Sequence, residues 1–220
     1  PRTSSMYQLP HFREDRLDVQ HSLIRAHPLG LIVTAGQGGL MANSIPFVVD
    51  SDGTEFGTLR CHLARANGQW RELNAVDECM VIFQGPQDYV TPSWYATKRE
   101  TGKVVPTWNY VTVHVWGAPR VIDDAVWLRR QLDDLTNLCE AGRPQPWKVD
   151  DAPEDFVAAL MKEIGGVEIP IARIEGKWKM SQNRPEAGRI GVVEGYREKG
   201  PTAAAIAELV ARRGGLATSE

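Results

Sequence analysis

The 220-residue sequence lacks the features that mark membrane, secreted and disulfide-rich proteins. No apolar run approaches the roughly 18 residues that a membrane-spanning helix needs. The segment Pro1 to Pro10 has no basic region followed by an apolar core, so no secretory signal is expected. Cys61, Cys79 and Cys139 form no CxxC pair and are odd in number, which is typical of reduced thiols. We therefore expect a cytoplasmic protein with no membrane partner.

An excess of basic residues is also missing. The chain has 25 Lys and Arg against 28 Asp and Glu, and its formal net charge is −3. Proteins dedicated to nucleic acids usually carry a basic excess, and no basic helix-turn-helix is visible. The charge therefore argues against direct DNA binding.

The common catalytic and metal-binding motifs are absent too. The sequence contains no GxSxG, P-loop, GxGxxG or HExxH pattern. Cys61 and His62 are adjacent, so on a strand their side chains point to opposite faces and cannot both bind one metal ion. The residues predict no hydrolase, kinase, Rossmann dehydrogenase or structural zinc site, and they assign no reaction.

Short strands separated by Gly-containing turns dominate the first half of the chain. This order is typical of an antiparallel meander or barrel, and it predicts an α+β protein. The length and composition fit one domain over 1–220. Its expected parts are the main barrel strands in 6–122, a helical segment in 123–165, a C-terminal hairpin in 166–184 that turns at Glu175-Gly176, and a terminal helix in 201–213.

Two local predictions concern a helix start and a long loop. Asp15 can cap the first helix, which ends before Pro28. The segment 84–106 is rich in Pro, Gly, Thr and aromatic residues, and it is long for a loop inside a compact domain. We expect an ordered functional loop there.

Three polar-aromatic segments stand out as candidate binding elements. In the first, residues 57–70, strand alternation puts Arg60 and His62 on one face, with Arg65 just beyond. Guanidinium groups bind phosphate in a bidentate manner, so this face suits a planar anionic ligand, or else it is a solvated outer face.

The second segment also carries two interpretations, and the third carries one. Residues 91–95 and 106–110 interleave hydroxyls and an amide with large rings, which fits either a ring-stacking site or a loop packed on a neighbouring subunit. In residues 176–185, two lysines flank Trp178 and polar side chains follow, a pattern that alone is typical of a surface hairpin.

Taken together, four motifs in this order resemble the PaiB family of FMN-binding negative transcriptional regulators. They are HLARAN at 62–67, PSWY at 92–95, VPTWNY at 105–110 and KWKMSQNRP at 177–185. The resemblance extends over roughly residues 6 to 200. It implies a split β-barrel of the FMN-binding type, a homodimer, and cofactor sites at the subunit interface. It also leaves DNA as a possible partner, although the net charge does not support it.

The resemblance implies a set of cofactor-binding residues. Arg60 and Arg65 are the candidates for phosphate or carboxylate contacts. The ring would be lined by His62 and residues of the second segment, and residues of the third segment would close the site. The full predicted set is Arg60, His62, Arg65, Asn67, Ser93, Trp94, Thr107, Trp108, Asn109, Lys177, Ser181, Gln182 and Asn183.

A more distant resemblance gives an alternative. Haem-dependent piperazate synthases are similar to this family across the same barrel. A neutral imidazole is an apt axial ligand, so His62 would then bind the iron of haem b. FMN and haem b remain the two cofactor hypotheses.

Overall fold

A computed structural model describes residues 5–216, and within this range the chain forms two compact units from interleaved segments. We call the unit made of residues up to 15, 84–112 and from 175 onward the terminal unit. The unit made of 16–83 and 113–174 is the middle unit. Residues 1–4 and 217–220, the ends of the predicted 1–220 domain, lie outside the described residues. That 1–220 is one domain stays a prediction.

The described residues form ten strands and seven α-helices. The strands are β1 (Arg13–Glu14), β2 (Leu29–Gly36), β3 (Gly39–Pro46), β4 (Val48–Asp50), β5 (Thr58–Ala64), β6 (Cys79–Val90), β7 (Thr107–Gly117), β8 (Arg120–Ile122), β9 (Ile164–Pro170) and β10 (Arg173–Lys179). The helices are α1 (Leu17–Ala26), α2 (Gly68–Glu72), α3 (Ala96–Thr101), α4 (Ala125–Glu140), α5 (Glu154–Met161), α6 (Glu186–Glu198) and α7 (Ala204–Arg213). None of the helices in 5–216 is long and apolar enough to cross a bilayer.

The middle unit contains a four-stranded sheet with the order β4-β5-β9-β8. Its neighbouring strands pair antiparallel. The same unit holds the β2–β3 hairpin, and β2 also pairs antiparallel with the first half of β6. On β5 the side chains of Leu59, Cys61 and Leu63 are buried, as the alternation predicts. These strands confirm the antiparallel α+β prediction.

The terminal unit contains strands in the order β1-β10-β7-β6. Helices α6 and α7 belong to this unit, and buried Val192, Tyr196, Ile206 and Val210 form their apolar faces. Trp178 is also buried, with the Arg213 guanidinium 5.0 Å from its ring centre. The terminal unit thus has its own apolar core.

Three local predictions are corrected by the structure. Helix α1 is preceded by Arg16 as N-cap, without a side-chain cap, so the predicted Asp15 cap is wrong. The segment 84–106 is not one loop, because β6 continues to Val90 and a 3-10 turn and α3 follow. The hairpin across Glu175-Gly176 is wrong as well, because β9 and β10 belong to different sheets and Gly176 pairs with Glu14.

Helix α6 was not predicted, because three glycines lower the helix propensity of its sequence. In the structure these glycines serve packing. A Cβ atom at Gly195 would lie 2.2 Å from the Trp94 ring, and one at Gly191 would lie 2.0 Å from the Trp94 carbonyl oxygen. The helix can therefore approach Trp94 only without side chains there.

Candidate functional site

A cavity of about 190 Å³ lies within the terminal unit. Four of its lining residues belong to the predicted set, and the other four do not. The lining is formed by Leu9, Phe12, Thr107, Asn109, Lys179, Ser181, Asn183 and Arg184. Polar and cationic side chains thus share this cavity with two apolar ones.

Two strands and the turn that follows β10 place the polar lining. Thr107 and Asn109 open β7 two residues apart, so they point to the same side of the strand. Lys179 ends β10, and Ser181 then takes a left-handed conformation with φ of 59°. The Arg184 amide donates to the Ser181 carbonyl oxygen at 2.9 Å, which closes the turn.

Gln182 holds this turn from within. Its side-chain oxygen accepts a hydrogen bond from the Met180 amide, and its side-chain nitrogen donates to the Trp178 carbonyl oxygen, both at 2.6 Å. Because both polar ends are used, Gln182 supports the cavity wall and does not line the cavity.

Hydrogen bonds connect the lining residues to one another. The Lys179 ammonium donates to the Thr107 hydroxyl and to the Trp108 carbonyl oxygen, each at 2.5 Å. The Ser181 hydroxyl donates to the Asn109 side-chain oxygen at 3.1 Å. The Asn109 amide nitrogen is buried and makes no hydrogen bond of normal geometry, although the Asn109 side chain lies close enough to Tyr196 to affect its hydroxyl. A buried donor of this kind costs free energy unless a partner is supplied.

The charge around the cavity is positive and uncompensated. Burial, and then the charges of Lys177 and Arg184, lower the pKa of Lys179. No acidic residue lines the cavity. Within residues 5–216, none of these three cations makes a salt bridge with a carboxylate. Such a cavity favours an anion.

Lys177 lies outside the cavity lining but close to it in sequence. It is buried, its ammonium donates to the Tyr7 carbonyl oxygen at 2.8 Å, and it lies 5.5 Å from the Tyr7 ring centre and 5.2 Å from that of Tyr110. These rings stabilise the ammonium without a carboxylate. Lys177 therefore adds positive potential near the cavity.

The remaining predicted residues of the terminal unit lie outside the cavity lining, and their part in cofactor binding stays a prediction. Trp108 points away from the side of β7 that carries Thr107 and Asn109, is 47% exposed, and donates from its indole nitrogen to Gln87. Trp94 packs on α6, with its ring centre 5.0 Å from that of Tyr196. Ser93 accepts a hydrogen bond from Lys98. None of Ser93, Trp94 and Trp108 lines the cavity.

The other four predicted residues, Arg60, His62, Arg65 and Asn67, lie in the middle unit. Arg60 is only 4% exposed, and its guanidinium donates to Asp50, Asp134 and Gln131. Burial alone would lower the pKa of Arg60, but the two carboxylates raise it. Its donors are therefore engaged inside the unit, and a ligand contact of Arg60 stays a prediction.

Arg65 and Asn67 have local partners as well. The Arg65 guanidinium bonds to Asp123 and to the Lys162 carbonyl oxygen, and it lies 5.7 Å from the Trp70 ring centre. The Asn67 side chain caps α2 by accepting from the Gln69 amide at 2.9 Å. Both contacts stabilise the chain where β5 leads into α2.

His62 differs from its neighbours because its ring nitrogen Nδ1 is buried without a hydrogen-bond partner. Burial lowers the pKa of His62, so the imidazole is neutral at pH 7. Gly166 of β9 lies directly opposite His62 on the same face of the sheet, and the Trp127 ring packs against Gly166. Trp127 therefore covers this side of β5. Residues 5–216 contain no cluster of three or more His, Cys, Asp and Glu side chains that could hold a metal ion.

Sequence reasoning missed Lys179, Arg184, Leu9 and Phe12 as lining residues. Lys179 and Arg184 lie inside the KWKMSQNRP motif, and the signal was the absence of any acidic residue in 177–185. Leu9 and Phe12 gave no local signal, because they come from a distant part of the chain.

Comparisons with known proteins identify the family of the chain. A family model described as "Putative FMN-binding domain" matches residues 6–173. The chain is 37% identical over 245 residues to "Uncharacterized protein AN0679" of Emericella nidulans, covering 95% of this chain and 98% of the relative. It is 29% identical over 206 residues to "Protease synthase and sporulation protein PAI 2" of Bacillus subtilis, covering 93% and 96% of the two chains.

A solved structure supports the fold. The FAD and heme binding protein from Mycobacterium smegmatis superposes with a TM-score of 0.55 at 16% identity, covering 76% of this chain and 73% of that chain. At this identity the likeness bears on the fold alone. Together with the antiparallel sheets and the match over 6–173, it confirms the predicted α+β split barrel. The chain belongs to the FMN-binding domain family, as its resemblance to the PaiB family predicts.

Proposed function

We propose that the protein binds FMN and that the cavity of the terminal unit holds the phosphate of the cofactor. The observation that carries this proposal is the group of three cations without a carboxylate partner, Lys177, Lys179 and Arg184, at or beside the cavity. A phosphate brings negative charge and oxygen acceptors, which are what this group lacks.

The donors present fit a phosphate. Lys179 and Arg184 supply charged donors, Thr107 and Ser181 supply hydroxyls, and Asn109 supplies a buried amide nitrogen that lacks a normal hydrogen bond. The left-handed Ser181 fixes the turn that brings Asn183 and Arg184 to the cavity. The arrangement therefore stabilises an anion with few changes of side-chain position.

The size of the cavity limits what it holds. Sites that enclose a whole ligand usually measure about 300–1,000 Å³, and this cavity measures about 190 Å³. It suits the phosphate end of FMN, with the ring system outside it. Bound FMN would supply one- and two-electron redox chemistry, while the residues of this chain hold and neutralise its phosphate.

An absorption spectrum of the purified protein tests the cofactor. We expect flavin bands, either as purified or after reconstitution with FMN, and no Soret band. A matched comparison of FMN with riboflavin isolates the phosphate, because riboflavin lacks it. A protein that takes up neither flavin would overturn the proposal.

His62 supports haem as a second candidate function. Its imidazole is neutral through burial, and Nδ1 has no partner, so a ring nitrogen is free of competing hydrogen bonds. The Mycobacterium smegmatis protein of similar fold is described as an FAD and heme binding protein. A Soret band that disappears in His62→Ala, with flavin absent, would favour haem b over FMN.

The biological setting is also proposed from the resemblance. We infer a cytoplasmic homodimer whose effect on transcription is indirect, since the net charge is −3. Binding to promoter DNA that weakens steeply as salt rises would show direct phosphate contacts instead.

A further inference from the structure

Tyr95 ends the PSWY motif and does not line the cavity of the terminal unit. Its side chain is only 3% exposed, and its hydroxyl is buried without a hydrogen-bond partner. A hydroxyl buried in this way costs free energy, so it does not explain why the residue is there. The contacts of the ring have to explain it.

The Tyr95 ring lies beside a cation of the cavity lining. The guanidinium carbon Cζ of Arg184 is 4.9 Å from the centre of this ring. An aromatic face attracts a cation within about 6 Å. Among residues 5–216, no group accepts a hydrogen bond from the Arg184 guanidinium, and no carboxylate pairs with it. Within that range, the ring is the group that the structure places against this charge.

The backbone of Arg184 is fixed without help from the ring. Its amide donates to the Ser181 carbonyl oxygen at 2.9 Å, and its own carbonyl oxygen accepts from Arg189 Nη1 at 2.8 Å. Pro185 follows in the chain, and a residue before proline is restricted to extended backbone. The freedom left to Arg184 is that of its long side chain, which is among the largest of any residue.

The backbone that carries the Tyr95 ring is fixed as well. Tyr95 lies between a 3-10 turn and α3, where its amide donates to the Pro92 carbonyl oxygen at 3.1 Å and its carbonyl oxygen accepts from the Lys98 amide at 3.0 Å. A Cβ atom added at Gly188 would lie 3.6 Å from both Arg184 Cβ and Tyr95 Cδ1, so the two side chains meet at the first turn of α6. A buried ring on a fixed backbone can restrict a long side chain that packs on it.

We infer that Tyr95 is a positioning residue, whose ring holds the Arg184 guanidinium at the cavity before an anion arrives. The inference rests on the proposed function, since it concerns the same cavity. A side chain that is ordered in advance loses less freedom when a ligand binds, and the affinity is higher for that reason. Riboflavin has no phosphate, so Tyr95 should act on the preference for FMN over riboflavin.

Calorimetry of the full chain with FMN and with riboflavin tests the inference. We expect Tyr95→Leu to lower the preference for FMN about 3- to 10-fold, and Tyr95→Phe, which keeps the ring, to retain it. Tyr89→Leu is the matched control, because Tyr89 belongs to the same unit and packs on Trp108 outside the cavity lining. Circular dichroism checks each fold, and Tyr95→Met replaces Tyr95→Leu if that variant is unfolded.

A double-mutant cycle distinguishes positioning from packing. If Tyr95 only packed, its loss would weaken both flavins alike, whichever residue stands at position 184. If it positions Arg184, Tyr95→Leu should have no further effect on the preference once Arg184→Met is present. A preference that is unchanged in Tyr95→Leu, or that falls as much in the Arg184→Met background, would overturn the inference.

A measurement without flavin separates this inference from the proposed function. The charge of Arg184 contributes to the lowered pKa of Lys179, so freeing Arg184 from the ring should raise that pKa toward 10.5. NMR titration of the Lys179 side chain, with its signal assigned by Lys179→Met, should show the rise in Tyr95→Leu and Arg184→Met and none in Tyr95→Phe. A wild type that binds no flavin would overturn the FMN proposal. Equal Lys179 pKa values in the wild type and Tyr95→Leu would overturn the positioning of Arg184 by Tyr95.

Discussion

Two groups of cations differ in how their charge is balanced. In the middle unit the Arg60 guanidinium is buried between Asp50 and Asp134, with Gln131 as a further partner. In the terminal unit Lys179 donates only to a hydroxyl and a carbonyl oxygen. Both groups lie in the polar-aromatic segments that are candidate binding elements, yet only the second lacks a carboxylate partner.

The difference shows that a cationic residue in such a segment indicates an anion site only if the fold gives it no carboxylate partner. A buried charge must be paired or hydrogen-bonded, and Arg60 is satisfied by its own chain. Lys179 is neutralised by no carboxylate, and burial, followed by the charges of Lys177 and Arg184, lowers its pKa. We therefore expect a structural role for the first group and propose anion binding for the second.

The largest expected effect comes from removing the partners of Arg60. Asp50→Ala/Asp134→Ala leaves a buried guanidinium without a counter-charge, which we expect to cost about 3–5 kcal/mol of the free energy of unfolding. Urea unfolding followed by fluorescence measures it. The control Arg60→Met should cost less, because the side chains of Asp50 and Asp134 are 27% and 37% exposed and can be solvated. Wild-type stability of the double variant would mean that Arg60 does not need these partners.

Replacing Lys179 should weaken FMN binding and leave the free energy of unfolding nearly unchanged. We expect Lys179→Met to raise the Kd for FMN about 10- to 100-fold, since a charged hydrogen bond contributes roughly 1.5–3 kcal/mol. The free energy of unfolding should change little, because the variant loses the hydrogen bonds to Thr107 and Trp108 but also the repulsion from Lys177 and Arg184. Isothermal titration calorimetry and urea unfolding give the two values. Lys98→Met is the control, and an FMN affinity equal to the wild type in Lys179→Met would contradict the assignment.

Within the terminal unit, substitutions at two glycines of α6 test whether Trp94 is fixed by packing against this helix or is available to a ligand. Gly195→Ala places a Cβ atom 2.2 Å from the Trp94 ring, and we expect a loss of about 1–3 kcal/mol from overpacking. At Gly188 the nearest atoms are 3.6 Å away, so Gly188→Ala should be neutral or stabilising by up to about 1 kcal/mol. Thermal unfolding compares the two variants. Equal melting temperatures would show that Trp94 is free to move and is available to a ligand.

The smallest expected effect is a pH dependence of FMN binding. The pKa of Lys179 is lowered in the folded protein, so its charge is present below that pKa and is lost as pH rises through it. The FMN affinity should therefore fall as pH rises, and the fall should begin before pH 10.5, the ordinary pKa of lysine. We expect a decrease of up to about tenfold. Titrations between pH 7 and 10 measure the decline. Lys179→Arg keeps its charge throughout and should show a flat profile, and a flat wild-type profile would argue against a role for the Lys179 charge.

The sequence predicted most strands because their signals are local. The alternation in β5 and the Gly-containing turns in the first half of the chain were sufficient. Helix α6 was not predicted because Gly191 and Gly195 weaken the local helix signal. These glycines are needed for close packing against Trp94, about 100 residues away in the chain. The hairpin at Glu175-Gly176 failed because sheet membership depends on distant pairing.

The candidate site was predictable in part for the same reason. Thr107, Asn109, Ser181 and Asn183 were found from their motifs, and the structure brings them to one cavity. The sequence could not show that Arg60 is balanced by Asp134, because that carboxylate belongs to a helix 74 positions later. Which cation lacks a carboxylate partner is decided only in the folded chain.

The most direct test of the account compares FMN with riboflavin by calorimetry, in the wild type and in Lys179→Met/Arg184→Met. We predict that the wild type binds FMN at least about tenfold more tightly than riboflavin, and that this preference disappears in the double variant. Equal affinities for the two flavins in the wild type would contradict the account. So would a preference that survives in the double variant and is lost in Arg65→Met.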